Sequence, residues 1–112
     1  MLRAILATVA LMLIVAPSAT ADHQRIHGQQ QRAKVAICKT FGSYCKQALA
    51  VSWCESKWYV WAQNGQYHGI FQMGSWERST YGHGPGAWAQ ARAALRYFNA
   101  SGRDWSPWAC KP

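Results

Sequence analysis

The chain has 112 residues, and 12 lysines and arginines against 4 aspartates and glutamates give it a formal net charge of +8. This length predicts a single domain, close to the lower limit at which a hydrophobic core is stable without disulfides or metals. The basic balance favours polyanionic partners, which for an exported chain means wall polymers or phospholipid head groups before nucleic acid.

Residues 1–21 are predicted to be a secretory signal peptide. Arg3 precedes an uninterrupted apolar run, and the small residues Ala19 and Ala21 suit a cut after Ala21. The run is shorter than the roughly 20 residues that span a bilayer, so a stable membrane anchor is the weaker interpretation. We therefore expect a secreted protein, located outside the cell or in the cell wall.

The chain contains four cysteines, and all of them lie in the part predicted to be exported: Cys38, Cys45, Cys54 and Cys110. An oxidising compartment makes two disulfides the expected state. Cys45 and Cys54 are predicted to share a helix, where a rise of about 1.5 Å per residue places them too far apart to bond. Two of the three pairing schemes stay open on this argument.

The first predicted element is a flexible N-terminal arm over residues 22–31, which are polar and lack apolar periodicity. A short helix follows, because Ala33, Ile37 and Phe41 recur at helical spacing. A second helix begins after Gly42, and Ser43 is its predicted N-cap.

The later elements are a hairpin and two helices. Asn64-Gly65 lies between β-prone residues and predicts a short hairpin with a type I′ turn. Ser75 is predicted to cap a short helix that ends at Tyr81. The last helix is amphipathic, with the apolar stripe Trp88, Ala91, Leu95 and Phe98. The expected fold class is α+β, mainly α, with a short hairpin after the second helix.

The candidate catalytic carboxylates outside the signal peptide are few: Asp22, Glu55, Glu77 and Asp104. Asp22 would be the new N-terminus, and Glu77 suggests a solvated or paired surface group beside Arg78. Asp104 suggests a structural hydrogen bond or ion pair past a helix end. Glu55 differs, because it lies on the inward stripe of the second helix at its last turn. There the helix macrodipole and the apolar surroundings both disfavour a carboxylate anion.

A protonated carboxyl in such a place suits cleavage of glycosidic bonds, because the leaving oxygen needs a proton. A glutamate that only ends a helix is the alternative. Residues 58–72 add the aromatic and amide side chains typical of carbohydrate clefts, although most aromatics of so small a domain must form its core. From this segment we assign Trp61, Asn64 and Tyr67 to substrate binding.

Metal and thiol chemistry are not expected. His23 and His27 lie in the predicted arm, and His68 and His83 are isolated, so neither pair predicts a metal site. The cysteines are committed to disulfides and leave no free thiolate. We expect no cofactor.

Three motifs together resemble those of the lysozyme-like superfamily. They are Cys-Glu-Ser at 54–56, Asn-Gly-Gln-Tyr at 64–67 and Gly-Ile-Phe-Gln-Met at 69–73. The likeness is to soluble lytic transglycosylase domains and the related actinobacterial resuscitation-promoting factors, and the closing Trp-x-x-Trp-x-Cys at 105–110 resembles the end of the latter. The resemblance covers about residues 45–110, so we place the lysozyme-like domain at residues 32–112.

The resemblance implies roles for several residues. Glu55 would act as general acid and then as base, Gln72 and Tyr97 would contact the sugar, and Ser56 would support the helix end. The sequence around Tyr97, Tyr-Phe-Asn at 97–99, differs from the usual third motif of the family. The likeness also implies disulfides, which we assign as Cys38–Cys45 and Cys54–Cys110.

The function expected from this resemblance is cleavage of the MurNAc–GlcNAc β-1,4 bond of peptidoglycan by a transglycosylase with a single carboxylate. A hydrolytic lysozyme is the nearest alternative, and it would need Glu77 or Asp104 as a second carboxylate. A non-catalytic basic module that binds the wall is the rival from another class. The expected partners are peptidoglycan glycan strands and anionic wall polymers, with the protein as a monomer.

Overall fold

The computed structural model describes residues 8, 10–12 and 19–112, which form a mainly helical domain with one short antiparallel hairpin. This confirms the expected predominance of helix and the hairpin after the second helix. No helix in these residues is long and apolar enough to cross a membrane. The helices are α1 (Ala19–Phe41), α2 (Cys45–Ser56), α3 (Ser75–Tyr81) and α4 (Ala87–Ala100), the strands are β1 (Gln63–Asn64) and β2 (Tyr67–His68), and a 3₁₀ turn spans Gly42–Tyr44.

The first helix is longer than its sequence predicts, since α1 includes the whole of the predicted arm, residues 22–31. The residues of the predicted flexible arm are a mostly exposed part of this helix, which is why they lack apolar periodicity. Asp22 in its first turns forms an ion pair with Arg25 at 3.5 Å. Most of the predicted signal peptide, residues 1–21, lies outside the described residues.

The core is built around aromatic rings from α1, α4, the loop before α3 and the segment after α4. α1 packs against α2 and α4, and Phe41, Phe71 and Phe98 meet between them. Trp105 and Trp108 follow α4 and fold back onto these rings, with centroids 4.4 Å apart for Phe98 and Trp105. The indole N–H of Trp108 donates to the carbonyl of Phe71 at 3.0 Å. The C-terminal segment after α4 is therefore packed onto the core through its tryptophans.

Two disulfides staple this core, and both match the predicted pairs. Cys38–Cys45 joins the end of α1 to the start of α2, across a sequence separation of 7. Cys54–Cys110 joins the last turn of α2 to the segment after α4, across a separation of 56. The second bond therefore fixes distant parts of the chain beside Glu55.

Four local predictions differ from the structure. Ser75 is the first residue of α3 and not its N-cap, a position that Gly74 occupies. Ser43 lies inside the 3₁₀ turn and makes no capping bond, because this turn leads directly into α2. The hairpin turn is formed by Gly65 and Gln66, one residue later than predicted, and positive φ at Gly65 (59°) but not at Gln66 indicates a type II′ turn. Trp88 is 47% exposed, since the buried face of α4 is turned toward Gln90.

Candidate active site

Glu55 lies where two cavities meet. The larger, of about 440 Å³, and the smaller, of about 290 Å³, share Cys54, Glu55, Asn64 and Gln72 in their walls. We call them the larger half and the smaller half of one cleft. The larger half is completed by Tyr67, Met73, Gly74, Glu77, Tyr97, Pro107, Trp108, Ala109 and Cys110, and the smaller half by Ser56, Lys57, Ala62 and Gln63.

The carboxyl group of Glu55 is held from the side of the C-terminal segment. Glu55 is half-buried in the last turn of α2, as predicted, and its Oε1 accepts the backbone N–H of Cys110 at 3.0 Å. The disulfide to Cys54 keeps that N–H in place. No other described residue forms a hydrogen bond to this carboxyl group, so its second oxygen is available to a ligand in the cleft.

The chain leaves α2 in an uncommon conformation that Ser56 stabilises. Lys57 and Trp58 both have positive φ (53° and 64°), which costs about 1 kcal/mol or more at each non-glycine residue. The Ser56 hydroxyl donates to the carbonyl of Ile70 at 2.6 Å and accepts the N–H of Trp58 at 3.1 Å. On the other side, Gln30 of α1 donates to the carbonyl of Lys57 at 3.0 Å. Ser56 therefore has the supporting role that the resemblance implies.

A buried glutamine supports the loop that carries Gln72. The side-chain oxygen of Gln90 accepts the N–H of Ile70 at 2.8 Å, and its amide nitrogen donates to the carbonyls of Val60 and Gly84. Gly69 has φ of 82°, and a Cβ there would lie 2.5 Å from the oxygen of Gln90. Only glycine fits this position, which explains the first residue of the Gly-Ile-Phe-Gln motif.

Gln72 presents a hydrogen-bond acceptor to the cleft. Its side-chain nitrogen donates to the carbonyls of Gly69 at 2.9 Å and Ala62 at 3.2 Å. Both donors of the amide are therefore used within the protein, while its oxygen has no partner among the described residues. Gln72 can accept a hydrogen bond from an N–H or O–H group of a ligand.

The structure brings most of the predicted substrate residues to the larger half. Asn64 and Tyr67 face each other across the hairpin, and Tyr97 comes from α4. Burial, followed by the negative charge of Glu77 and then by Tyr81, raises the pKa of Tyr97, so its hydroxyl is a donor at neutral pH. Trp61 lies outside the walls of both halves, is 61% exposed and stacks on Tyr59.

Glu77 was predicted to be a solvated or paired surface group, and the structure shows no ion pair between it and Arg78 among the described residues. It is partly buried and lines the larger half together with Glu55. The guanidinium of Arg78 instead donates to the carbonyls of Gln66 and Met73. Asp104 is exposed, lies outside both halves and accepts the backbone N–H of the residue two positions later at 2.8 Å, which confirms its structural interpretation.

Two contributors to the site were missed by the sequence analysis, Gln30 and Gln90, whereas Glu77 was considered for the site only as the second carboxylate of a hydrolytic enzyme. Gln90 stands on the apolar side of a strongly amphipathic helix, and this polar residue among alanines was a usable signal. Gln30 gave no signal, because its role depends on a contact with a residue 27 positions away.

The histidines remain apart from this cleft. His68 and His83 have ring centroids 6.3 Å apart, and burial, the charge of Arg78 and His68, in that order, lower the pKa of His83. Within the described part of the chain, no three His, Cys, Asp or Glu residues are grouped to hold a metal ion.

No family model, curated protein or solved structure matches the chain. The functional argument therefore rests on the motifs and on the cleft that they form.

Proposed function

We propose that this protein is a secreted lytic transglycosylase with a lysozyme-like fold that cleaves the MurNAc–GlcNAc β-1,4 bond of peptidoglycan. The observation that carries the proposal is the position of Glu55, a half-buried carboxyl at the junction of the two halves of a cleft. A polymer that crosses both halves places one of its linkages beside this group.

Glu55 would supply both proton transfers of the reaction. In the first, its carboxyl gives a proton to the glycosidic oxygen as the bond to the anomeric carbon breaks. In the second, the 6-hydroxyl of the same sugar attacks the anomeric carbon and its proton returns to Glu55. The product is a 1,6-anhydro sugar end, formed without water and without a second carboxylate.

Side chains around Glu55 suit an N-acetylated sugar. The free oxygen of Gln72 can accept the acetamido N–H, and the Tyr97 hydroxyl can donate to a sugar oxygen. The basic charge of the chain would favour its association with an anionic wall, and the two disulfides suit an oxidising compartment. These features support a secreted enzyme whose other partners are anionic wall polymers.

Hydrolysis is a second candidate, and one observation favours it. Glu77 lines the same larger half as Glu55, so the cleft contains a second carboxylate. A hydrolase would use such a group to activate water or to stabilise the positively charged transition state.

Mass spectrometry of the sugars released from purified peptidoglycan tests both candidates. We expect muropeptides with 1,6-anhydro ends from the wild-type protein. Reducing ends would assign the hydrolytic function instead. Binding to peptidoglycan without release of any sugar would overturn the enzymatic proposal and leave a wall-binding module.

A further inference from the structure

Two histidines lie one above the other on the exposed part of α1. His23 and His27 are four positions apart, and their rings are nearly parallel, with an interplanar angle of 9° and centroids 6.5 Å apart. Residues with this spacing share one face of a helix. No metal site was predicted here because both histidines were expected in a flexible arm, whereas α1 holds them at a fixed spacing.

The two rings are accessible to an ion. His23 and His27 are both exposed, and Nε2 of His27 lies 3.5 Å from the side-chain nitrogen of Gln31, which is longer than an ordinary hydrogen bond. A metal–nitrogen bond of about 2.1 Å places an ion about 3 Å from each ring centroid. The rings therefore need to approach each other by only about 1 to 2 Å, which exposed side chains achieve by rotation of χ1 and χ2.

The charges on this part of α1 leave room for a cation. Arg25 lies two positions from each histidine, which places it on the opposite side of the helix. Its guanidinium is also paired with the carboxylate of Asp22 at 3.5 Å. An ion between His23 and His27 would therefore not face an unpaired Arg25.

The other pair of histidines is less suited to a cation. His68 and His83 have ring centroids 6.3 Å apart, but their planes are tilted by 59°. Burial and then the positive charge of Arg78 lower the pKa of His83. The same charge would repel a metal ion bound at this pair.

We propose that His23 and His27 form a binding site for a divalent transition-metal ion of the Zn²⁺ or Cu²⁺ class. Imidazole is a preferred ligand of both ions, and two histidines four positions apart on one helix face occur in zinc sites. Two protein ligands are fewer than the four of a structural zinc site, so water fills the remaining positions. The inference goes beyond the proposed function and does not depend on it.

An ion held by both histidines fastens one turn of α1. This part of the helix is mostly exposed, so it is the part of α1 that opens most easily. Gln30 follows the turn directly and donates to the carbonyl of Lys57 at 3.0 Å. A ligand that binds only the helical state shifts the equilibrium toward it, and the ion therefore stabilises the turns that lead to this contact.

Isothermal titration of the purified protein with Zn²⁺ and with Cu²⁺ measures the site directly. One ion should bind per chain, and Cu²⁺ should bind more tightly than Zn²⁺, following the general order of affinities for such ligands. H23Q and H27Q should each weaken binding at least about tenfold, because even the loss of a group that only supports a ligand costs about 10- to 100-fold. Both side chains are exposed, so both variants should fold.

A matched control exchanges His27 with Gln31, as H27Q/Q31H. The exchange keeps the composition and the charge of the chain but places the two imidazoles about 12 Å apart along the helix axis, too far to share one ion. It should lose affinity as H27Q does. H68Q, which changes the other pair, should bind both ions as the wild-type protein does.

Hydrogen exchange of backbone amides gives a second, local measurement. Zn²⁺ should slow exchange in residues 23–31 of the wild-type protein and leave exchange in α4 unchanged. H27Q should abolish this slowing.

Four results would overturn the inference. Absence of binding to the wild-type protein would show that the pair holds no ion, and wild-type affinity in both H23Q and H27Q would place the ion elsewhere. Loss of affinity in H68Q would assign the ion to His68 and His83. Loss in H23Q alone, with H27Q unaffected, would show that the two rings do not share an ion. None of these results bears on cleavage of peptidoglycan, which is measured separately.

Discussion

Replacement of Glu55 by glutamine tests the proposed acid with little change of shape. The glutamine side chain has nearly the same volume and keeps an acceptor oxygen for the N–H of Cys110. It has no proton to give to a glycosidic oxygen, and general acid catalysis contributes about 10² to 10⁴ in rate. We therefore expect sugar release from peptidoglycan to fall by at least about 100-fold.

The same substitution should have a small effect on folding, because two opposing terms nearly cancel. A hydrogen bond from Cys110 to a charged acceptor is stronger than one to a neutral acceptor by about 1 kcal/mol. Against this, the negative end of the α2 macrodipole disfavours the charged form by about 0.3 to 1 kcal/mol. The free energy of unfolding should change by less than about 1 kcal/mol.

The rate is measured from the release of muropeptides, and the stability is measured by thermal unfolding. Co-sedimentation with peptidoglycan measures binding. The matched control is Asp104→Asn, which changes an exposed carboxylate outside the cleft and keeps an acceptor oxygen for its backbone bond. The control should retain wild-type rates. If Glu55→Gln released muropeptides at a rate close to wild type, Glu55 would not be the acid and the proposed mechanism would be wrong.

Three further predictions concern stability. Ser56→Ala should lower the free energy of unfolding by about 1 to 3 kcal/mol in urea titrations, because it removes one buried and one partly buried hydrogen bond, whereas Ser43→Ala should be nearly neutral. Replacing Cys54 and Cys110 by serine should cost about 4 kcal/mol from the loop that the bond closes, and a much smaller loss would argue against this entropic account. The lowered pKa of His83 means that folding disfavours its protonated form, so stability should be full above pH 6.5 and decrease in thermal melts below it. His83→Gln should show a weaker decrease.

The sequence was sufficient for the features that depend on local pattern. The helical spacing of apolar residues predicted α4. The inward-facing stripe of the second helix predicted that Glu55 lies in the last turn of α2. The disulfide pairs came from the resemblance and agree with the structure. These helix predictions succeeded because most of the apolar residues whose spacing defines each helix also face the core, with Trp88 as the exception.

Features that depend on contacts between distant residues could not be predicted. Glu77 can line the cleft because the guanidinium of Arg78 donates to two backbone carbonyls and not to the neighbouring carboxylate. The spacing of residues in the sequence does not predict these hydrogen bonds. The helical state of residues 22–31 was missed because a polar stretch gives the same signal whether it is an exposed helix or an irregular arm. Because this stretch was not predicted to be helical, the contact of Gln30 with the chain directly after α2 was missed as well.

The contact between Cys110 and Glu55 links the chemistry of the site to the redox state of its surroundings. One residue provides both the sulfur bonded to Cys54 and the N–H that holds the carboxyl group. In a reducing cytosol the thiols would stay apart, and this wall of the cleft would be untethered from α2. For a chain exported as proposed, the site would thus be incomplete in the cell that produces it, and oxidation after export would complete it.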